Sequence, residues 1–418
     1  MTKKDTNLRD VRMRGFVDRA TVDTAWNWID AHVVPLASEV VPFEDAHGRV
    51  LASDVASAMD VPAFDRAAMD GYALRGAETD GASEYNPLTF SVVGESMPGS
   101  PYAGRLPPGA AIRIMTGSPL PMEANAVVPA EYADESEGEV RLTTAVPPGK
   151  HVGRRGEDVS AGSPLLAAGR GLRPQDVGLL VSVGVTEVNV IRRPRVRLVV
   201  TGNELVPPGK ARGEYQIFES NSSMLRGLIQ RDGGELESHR HVQDGYDEIR
   251  EALLADGAEV VLVSGGSSVG REDLAPLILR ENGELAIHGI AMRPSSPTGI
   301  GKIGPALAFL LPGNPVSCLC AYDFFAARAI RLLGGRTSAW PYNTYPATIG
   351  PKKIVSAVGR VDYCRVRLDD GLVEPIALSG ASILSSTTRA DGFVIVPAEC
   401  EGYPPGANVD VFLYDLLY

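Results

Sequence analysis

The chain has 418 residues, with 45 Gly and 31 Pro, together roughly half as much again as average usage. It therefore turns many corners, while the lack of a three-residue glycine period and the many Val/Leu/Ile runs exclude collagen and wholesale disorder. A net charge of −12 argues against a coat for nucleic acid or an anionic membrane, but allows a phosphorylated small ligand where a metal or a local cation neutralises it.

Length alone predicts two to three domains, or four if one is small. Four cysteines, of which only Cys318 and Cys320 share a segment, suit neither a disulfide framework nor a structural metal site and fit a reduced, cytoplasmic protein. The stretch 1–19 is polar and charged, without the apolar run of a signal peptide. The longest charge-free stretch, 303–322, is cut by Pro312-Gly313-Asn314-Pro315, so no membrane span is expected.

In chain order, a helix is predicted around 22–32, then a short turn-and-strand element in GRVLASDV. Between 61 and 146, short apolar runs (88–94, 110–115, 126–131, 140–143) are separated by Pro/Gly corners about every 8 to 15 residues, the pattern of a small all-β module. The acidic run 134–139 reads as a solvated loop. Residues 147–185 return to Gly-rich loops and then a helix over 174–183, with Pro174 at its start.

From 195 the period changes. Residues 196–201 read as a buried strand, and Ser220 or Asn221 can cap a helix running to 230. A strand over 235–242 follows, then a helix over 247–255 capped by Asp244, a buried strand over 259–264 and a helix over 273–281. Strands at 286–292 and 306–311 and a helix over 315–333 complete the alternation, which predicts an α/β domain with a mostly parallel sheet. After 340, strand-like segments at 345–349, 361–368, 393–396 and 409–414 predict a small terminal β domain.

Several loops could carry chemistry. In EVVLVSGGSSVGRED (259–273) a buried strand ends in Gly265-Gly266, where backbone N–H groups can approach an anion at the ligand-binding edge of an open sheet. A tight turn that binds nothing fits the same spacing. A second strand ends in Thr201-Gly202-Asn203-Glu204; Glu204 near Asp273 would form an anionic pair able to hold Mg²⁺, or Glu204 is simply a solvated loop acid. Leu311-Pro312-Gly313-Asn314-Pro315 is either a rigid ligand wall or a structural corner. Outside the α/β region, Phe64-Asp65-Arg66-Ala67-Ala68-Met69-Asp70-Gly71-Tyr72 and Arg154-Arg155-Gly156-Glu157-Asp158 mix charges with aromatics and glycine.

With these motifs in order, the sequence resembles the molybdopterin molybdenumtransferase family, which includes the MoeA proteins and the C-terminal domain of gephyrin. FDRAAMDGYA (64–73), RIMTG (113–117), RRGED (154–158), TGNEL (201–205), SGGSSVG followed by Asp273, and LPGNPVS (311–317) fall in the family's order. The resemblance runs from about Phe16 to the C-terminus.

The resemblance implies an elongated, multidomain α/β plus β protein. Its parts would be a discontinuous N-terminal dimerisation domain (18–60 and 147–185), an inserted β-rich domain (61–146), a three-layer α/β molybdopterin-binding domain with a mostly parallel sheet (186–340) and a C-terminal β-barrel (341–418). It implies a homodimer whose active site lies between the α/β domain of one subunit and the inserted domain of the other. The implied reaction is Mg²⁺-dependent insertion of molybdate into adenylylated molybdopterin with release of AMP. By motif position, Asp65, Asp158, Glu204 and Asp273 would be the catalytic acids, with Glu204, Asp244 and Asp273 holding the metal. Thr116, Arg155, Ser220, Asn221, Asp244, Gly265, Gly266, Ser268, Arg293, Pro312, Asn314 and Pro315 would contact the cofactor substrate.

The chain also departs from the family pattern. Met292-Arg293-Pro294-Ser295-Ser296-Pro297 stands where the family commonly has M-K-P-G-K-P, so one cation becomes Arg293 and the other Ser296. Ala67 replaces a common Ser, Ser267 a common Val, and Gly380-Ala381 a common Gly-Ser. All the acids are retained. A paralogue that handles tungstate, or a molybdopterin-binding scaffold with weak or no metal insertion, is the alternative.

Overall fold

Alternating apolar side chains decide how the central sheet is covered. In a computed structural model, which describes residues 18–267, 273–377 and 380–415, strand β1 (Arg195–Thr201) sends Val196, Leu198 and Val200 into one core and Val199 into another. A strand buried on both faces belongs inside a parallel sheet with helices above and below.

The chain continues through α1 (Asn221–Arg231), β2 (Glu235–Val242), α2 (Tyr246–Leu254), β3 (Val260–Ser264), α3 (Ala275–Asn282), β4 (Glu284–His288), β5 (Gly299–Ile303) and β6 (Ala306–Leu311). The strand order is β2-β1-β3-β6-β5-β4. The first four run parallel, and β5 runs antiparallel to both neighbours. Leu225 and Ile229 of α1 share the first core with a rod made of Pro315–Ala321, a wider helical turn Tyr322–Ala326, and Ala327–Leu333. Ile249 of α2 and Ile278 of α3 share the second. The three-layer α/β domain is as expected. The chain leaves β1 for β2 on one side and returns to β3 on the other, so the C-terminal ends of β1 and β3 flank a switch in strand order.

Several local expectations are corrected. The helix after β2 begins at Tyr246 with Gly245 as its cap residue, so Asp244 is not the cap. The helix after β3 starts at Ala275, leaving Asp273 ahead of it. The expected strand over 286–292 is two elements: β4, and Met292–Arg293, which pairs with Val361 and Asp362. Strand β5 was not anticipated because Gly299 and Gly301 disguise it. A side chain at Gly301 would put a Cβ 1.9 Å from the Glu284 carbonyl oxygen.

Beyond the sheet, Val361–Asp369, Leu372–Ala377, Thr344–Ile349, Asn408–Leu413 and Gly392–Val396 pair in that order, and the last pairs back to the first. They close a five-stranded barrel around Val366, Val373, Val394 and Val411. The strand Leu372–Ala377 went unpredicted because Pro375 interrupts it.

By contact density the chain divides into two units, one holding the described residues up to Glu39, Gly48–Val50 and those from Val190 onward, the other Val40–His47 and Leu51–Asn189. The second unit contains a six-stranded sheet ordered Ala126–Pro129, Gly71–Leu74, Ala110–Ile114, Leu88–Ser96, Glu139–Leu142 and Ala133–Ser136. It packs Phe90, Ile112, Ile114, Val127 and Val140 into its own core, the β-rich region foreseen from the Pro/Gly corners. The acidic run is not a loop but the hairpin joining the last two strands. Glu135 is held there by Arg113 and by the Tyr72 hydroxyl, 2.6 Å away.

Candidate active site

The ends of β1, β3 and β6, at Thr201, Ser264 and Leu311, each lead into a loop motif. The turn after β3 needs glycine. Gly265 has φ +98° and a Cβ there would lie 2.4 Å from the Thr201 carbonyl, while Gly266 has φ +56°. The Gly265 N–H donates to the Leu311 carbonyl at 3.2 Å. Asn221, in the first turn of α1, ties the remaining pieces together: its Nδ2 donates to Ser264 Oγ (2.9 Å) and to the Gly313 carbonyl (2.8 Å).

These loops enclose an open cleft of about 550 Å³. It brings together Glu204, Ser220, Asn221, Asp244, Gly265, Gly266, Asp273, Pro312, Asn314 and Pro315 of the expected site. Ser268 lies outside the described residues. Three buried lining residues present a polar atom with no hydrogen-bond partner: Thr201 Oγ1, Ser267 Oγ and Asn221 Oδ1. Buried polar atoms are normally satisfied, so a polar ligand is the natural complement.

Among the described residues, the charge lining the cleft has one sign. Glu204, Glu219, Asp244 and Asp273 line it, and no Lys or Arg does among the described residues. Glu219 is engaged locally, accepting the Ser222 N–H (2.8 Å) and hydroxyl. Asp244 accepts the Asn203 N–H at 3.0 Å and donates its own N–H to Asn203 Oδ1 at 3.2 Å, so it pins the loop after β1 to the loop after β2. Among the described residues no three acidic, histidine or cysteine side chains converge as a metal cage. The all-oxygen set of Glu204, Asp244 and Asp273 nonetheless has the chemistry of a hard cation such as Mg²⁺, which takes one or two carboxylates and fills its shell with water and substrate phosphate.

Beneath the glycine turn, His288 Nε2 lies 3.1 Å from the Ser267 carbonyl, and burial pushes its pKa below the usual value. A neutral imidazole donating to that carbonyl fixes the turn. The Cys318 thiol, 3.7 Å from Ser264 Oγ, is pushed up to about 12 by burial and stays protonated.

Arg293 is not among the residues lining this cleft. Its guanidinium is paired with the buried carboxylate of Asp362, which also accepts Arg360 Nε (3.0 Å) and Ser356 Oγ (2.8 Å). Pro297 of the same loop does line the cleft.

The remaining expected residues form a separate cluster in the second unit. Arg66–Ala67 pairs with Val152–Gly153, the Gly117 N–H donates to the Ala67 carbonyl (2.8 Å) and the Ala67 N–H to the Ser118 carbonyl (3.0 Å). Three motifs distant in sequence are thus stitched together. Asp65 accepts hydrogen bonds from the Arg155 N–H (2.8 Å) and from Arg154 Nη1 (3.0 Å). The Arg155 N–H, outweighing partial burial and aided by Arg154, holds the Asp65 carboxyl below the usual range. Arg155 Nε bonds Asp60 at 2.6 Å, and Asp70 accepts the Thr116 N–H and hydroxyl at 2.6 and 2.7 Å. Asp158 is exposed.

Sequence reasoning missed Asp60, Ile217 and Phe218, and gave Thr201 no role beyond the end of a strand. The exposed aromatic two residues before the Ser220-Asn221 pair was the one available signal; the others emerge only from tertiary pairing.

Comparison with known proteins places these loops in context. Family models match along most of the chain: "MoeA N-terminal region (domain I and II)" over residues 20–184, "Probable molybdopterin binding domain" over 197–331 and "MoeA C-terminal region (domain IV)" over 351–414. Molybdopterin molybdenumtransferase 2 of Mycobacterium tuberculosis is 32% identical over 382 residues, covering 89% of this chain and 94% of that protein. The molybdopterin molybdenumtransferase of Haemophilus influenzae is 31% identical, covering 90% and 94%. The crystal structure of the molybdopterin biosynthesis MoeA protein from Pyrococcus horikoshii superposes with a TM-score of 0.80 at 33% identity, over 96% of this chain and all of that one.

Proposed function

We propose that this chain, which belongs to the molybdopterin molybdenumtransferase family, takes adenylylated molybdopterin and molybdate as substrates, cleaves the pyrophosphate link and releases AMP as molybdenum is placed on the dithiolene. The observation that supports this most is the cleft itself: a glycine turn that lets a ligand approach the backbone, unsatisfied polar atoms on Thr201, Ser267 and Asn221, and a lining in which, among the described residues, the charged side chains are carboxylates. A polyanionic ligand would be repelled by such a wall unless a cation accompanied it.

In this reading Glu204, Asp244 and Asp273 would hold Mg²⁺, which when bound neutralises the phosphates and polarises the phosphorus. Asp273, just ahead of α3, would position the water or molybdate oxygen that bonds to phosphorus as the bridging P–O bond breaks and AMP leaves. The Gly266 N–H and the Ser267 hydroxyl bind the phosphate linker, Gly265 keeps the turn open beside it, and Asn221 Oδ1 accepts from a ligand N–H, with Ser220, Pro312, Asn314 and Pro315 bounding the site.

The protein would act as a homodimer of four-domain subunits, with Asp65, Asp158, Thr116 and Arg155 of one subunit serving the cleft of the other. Arg155, bonded through Nε to Asp60, keeps its terminal nitrogens for the anion.

One observation favours a second reading of oxyanion choice. Ser296 Oγ is buried without a partner at the position where the family pattern has its second lysine, and Arg293 is committed to Asp362. A neutral hydroxyl in place of an ammonium changes how a tetrahedral oxyanion is gripped, so tungstate is the competing substrate. Incubating the purified protein with adenylylated molybdopterin, Mg²⁺ and either oxyanion tests both points. AMP release matched by metal transfer supports the proposal, and the preferred oxyanion selects between the readings. Binding without AMP release overturns it in favour of a scaffold.

A further inference from the structure

Two of the apolar side chains lining the cleft are large and about half exposed. Phe218 and Ile217 are 49% and 53% exposed, and both line the cleft. Among the described lining residues Phe218 alone carries an aromatic ring. Ligand clefts characteristically set aromatic and apolar side chains beside a few placed polar groups.

The segment is also held in place. Ile217 and Phe218 pair in parallel with Leu205 and Val206. The Ile217 N–H donates to the Glu204 carbonyl and the Glu219 N–H to the Val206 carbonyl, each at 2.9 Å. Three residues later Asn221 grips Ser264 and Gly313. The ring is therefore carried on the same backbone that anchors the glycine turn.

Resting on the function proposed above, we propose that Phe218, backed by Ile217, is the platform on which the planar nitrogen heterocycle of the substrate stacks. Carboxylates and glycine N–H groups can serve phosphate and metal, but neither desolvates the flat face of a ring. An aromatic face does, in offset or edge geometry. The pterin and the adenine of the substrate share this chemistry, and two ligands tell them apart.

Full-length protein, Phe218→Ala and Phe218→Trp would each be titrated with AMP, with a pterin monophosphate and with inorganic pyrophosphate, in the presence of Mg²⁺. Phe218→Ala should weaken one heterocyclic ligand about tenfold while leaving pyrophosphate affinity and melting temperature unchanged. Phe218→Trp should restore affinity, and its added fluorescence should be quenched by that ligand. The ligand that loses affinity identifies the ring.

The platform is overturned if the unaltered protein binds these ligands and Phe218→Ala binds both heterocycles equally well. It is likewise overturned if the substitution changes only the oligomeric state on a sizing column, which would make Phe218 a subunit contact. Failure of the unaltered protein to bind pyrophosphate as well as either heterocycle would instead defeat the reading of the cleft, and the platform with it.

Discussion

Gly265 and Asn221 set the geometry of the cleft, and each carries a prediction at its own scale. Gly265→Ala must place a Cβ 2.4 Å from the Thr201 carbonyl at φ +98°, so it should cost at least about 1–3 kcal/mol in denaturant unfolding, with a further loss of pyrophosphate binding. Asn221→Ala strips the donor from buried Ser264 Oγ and from the Gly313 carbonyl; about 1–3 kcal/mol of destabilisation is expected, read by thermal or chemical denaturation. Retention of full stability in either variant would show that the loops are held by other contacts. Ser296→Lys should shift the relative turnover with molybdate and tungstate, and identical ratios before and after would remove that residue from oxyanion choice. At this scale the sequence already displayed the glycines and the acids, because their types are needed wherever a chain turns sharply beside an anion. It could not show that Arg293 is taken by Asp362, 69 positions away, since only the barrel's approach creates that pair. Nor could it show that Asp244 serves as a brace to Asn203 rather than as a helix cap.

At the scale of elements, the parallel strands are fastened at the end opposite the cleft. Glu259, just before β3, accepts the Arg195 N–H at 2.7 Å and pairs with Arg192 (2.9 Å) and Arg195 (3.1 Å). Burial alone would raise its pKa, but these bonds outweigh it and hold the carboxyl at about 2. A folded pKa below the unfolded one stabilises the protein above the unfolded value, and that contribution disappears as pH falls through the folded value. Stability should therefore decline between about pH 4.3 and pH 2, and Glu259→Gln should flatten this part of the profile. An unaltered slope would mean the ion pairs contribute nothing to folding. Elements with strong patterning, such as β1, β3, β6 and the rod after β6, could be read from periodicity. Those carrying glycine or proline inside a strand, Gly299–Ile303 and Leu372–Ala377, could not, because their pairing comes from neighbours rather than propensity.

For the molecule as a whole, the proposed reaction would draw on two groups of acids carried by different units of the chain: Glu204, Asp244 and Asp273 in the α/β cleft, and Asp65 and Asp158 in the stitched loops. Ordered motifs made this division visible in the sequence as family resemblance, whereas composition revealed only an acidic, corner-rich chain. The most direct test mixes two inactive proteins, Asp65→Asn and Asp273→Asn, under conditions that allow subunits to exchange, and follows AMP release from adenylylated molybdopterin with Mg²⁺ and molybdate. Each variant alone should fall about 100-fold or more. After random exchange, half the dimers would carry one intact site, so about a quarter of the original activity should return. Full activity in either variant alone, or no recovery after exchange has been verified, would contradict a reaction centre shared between subunits.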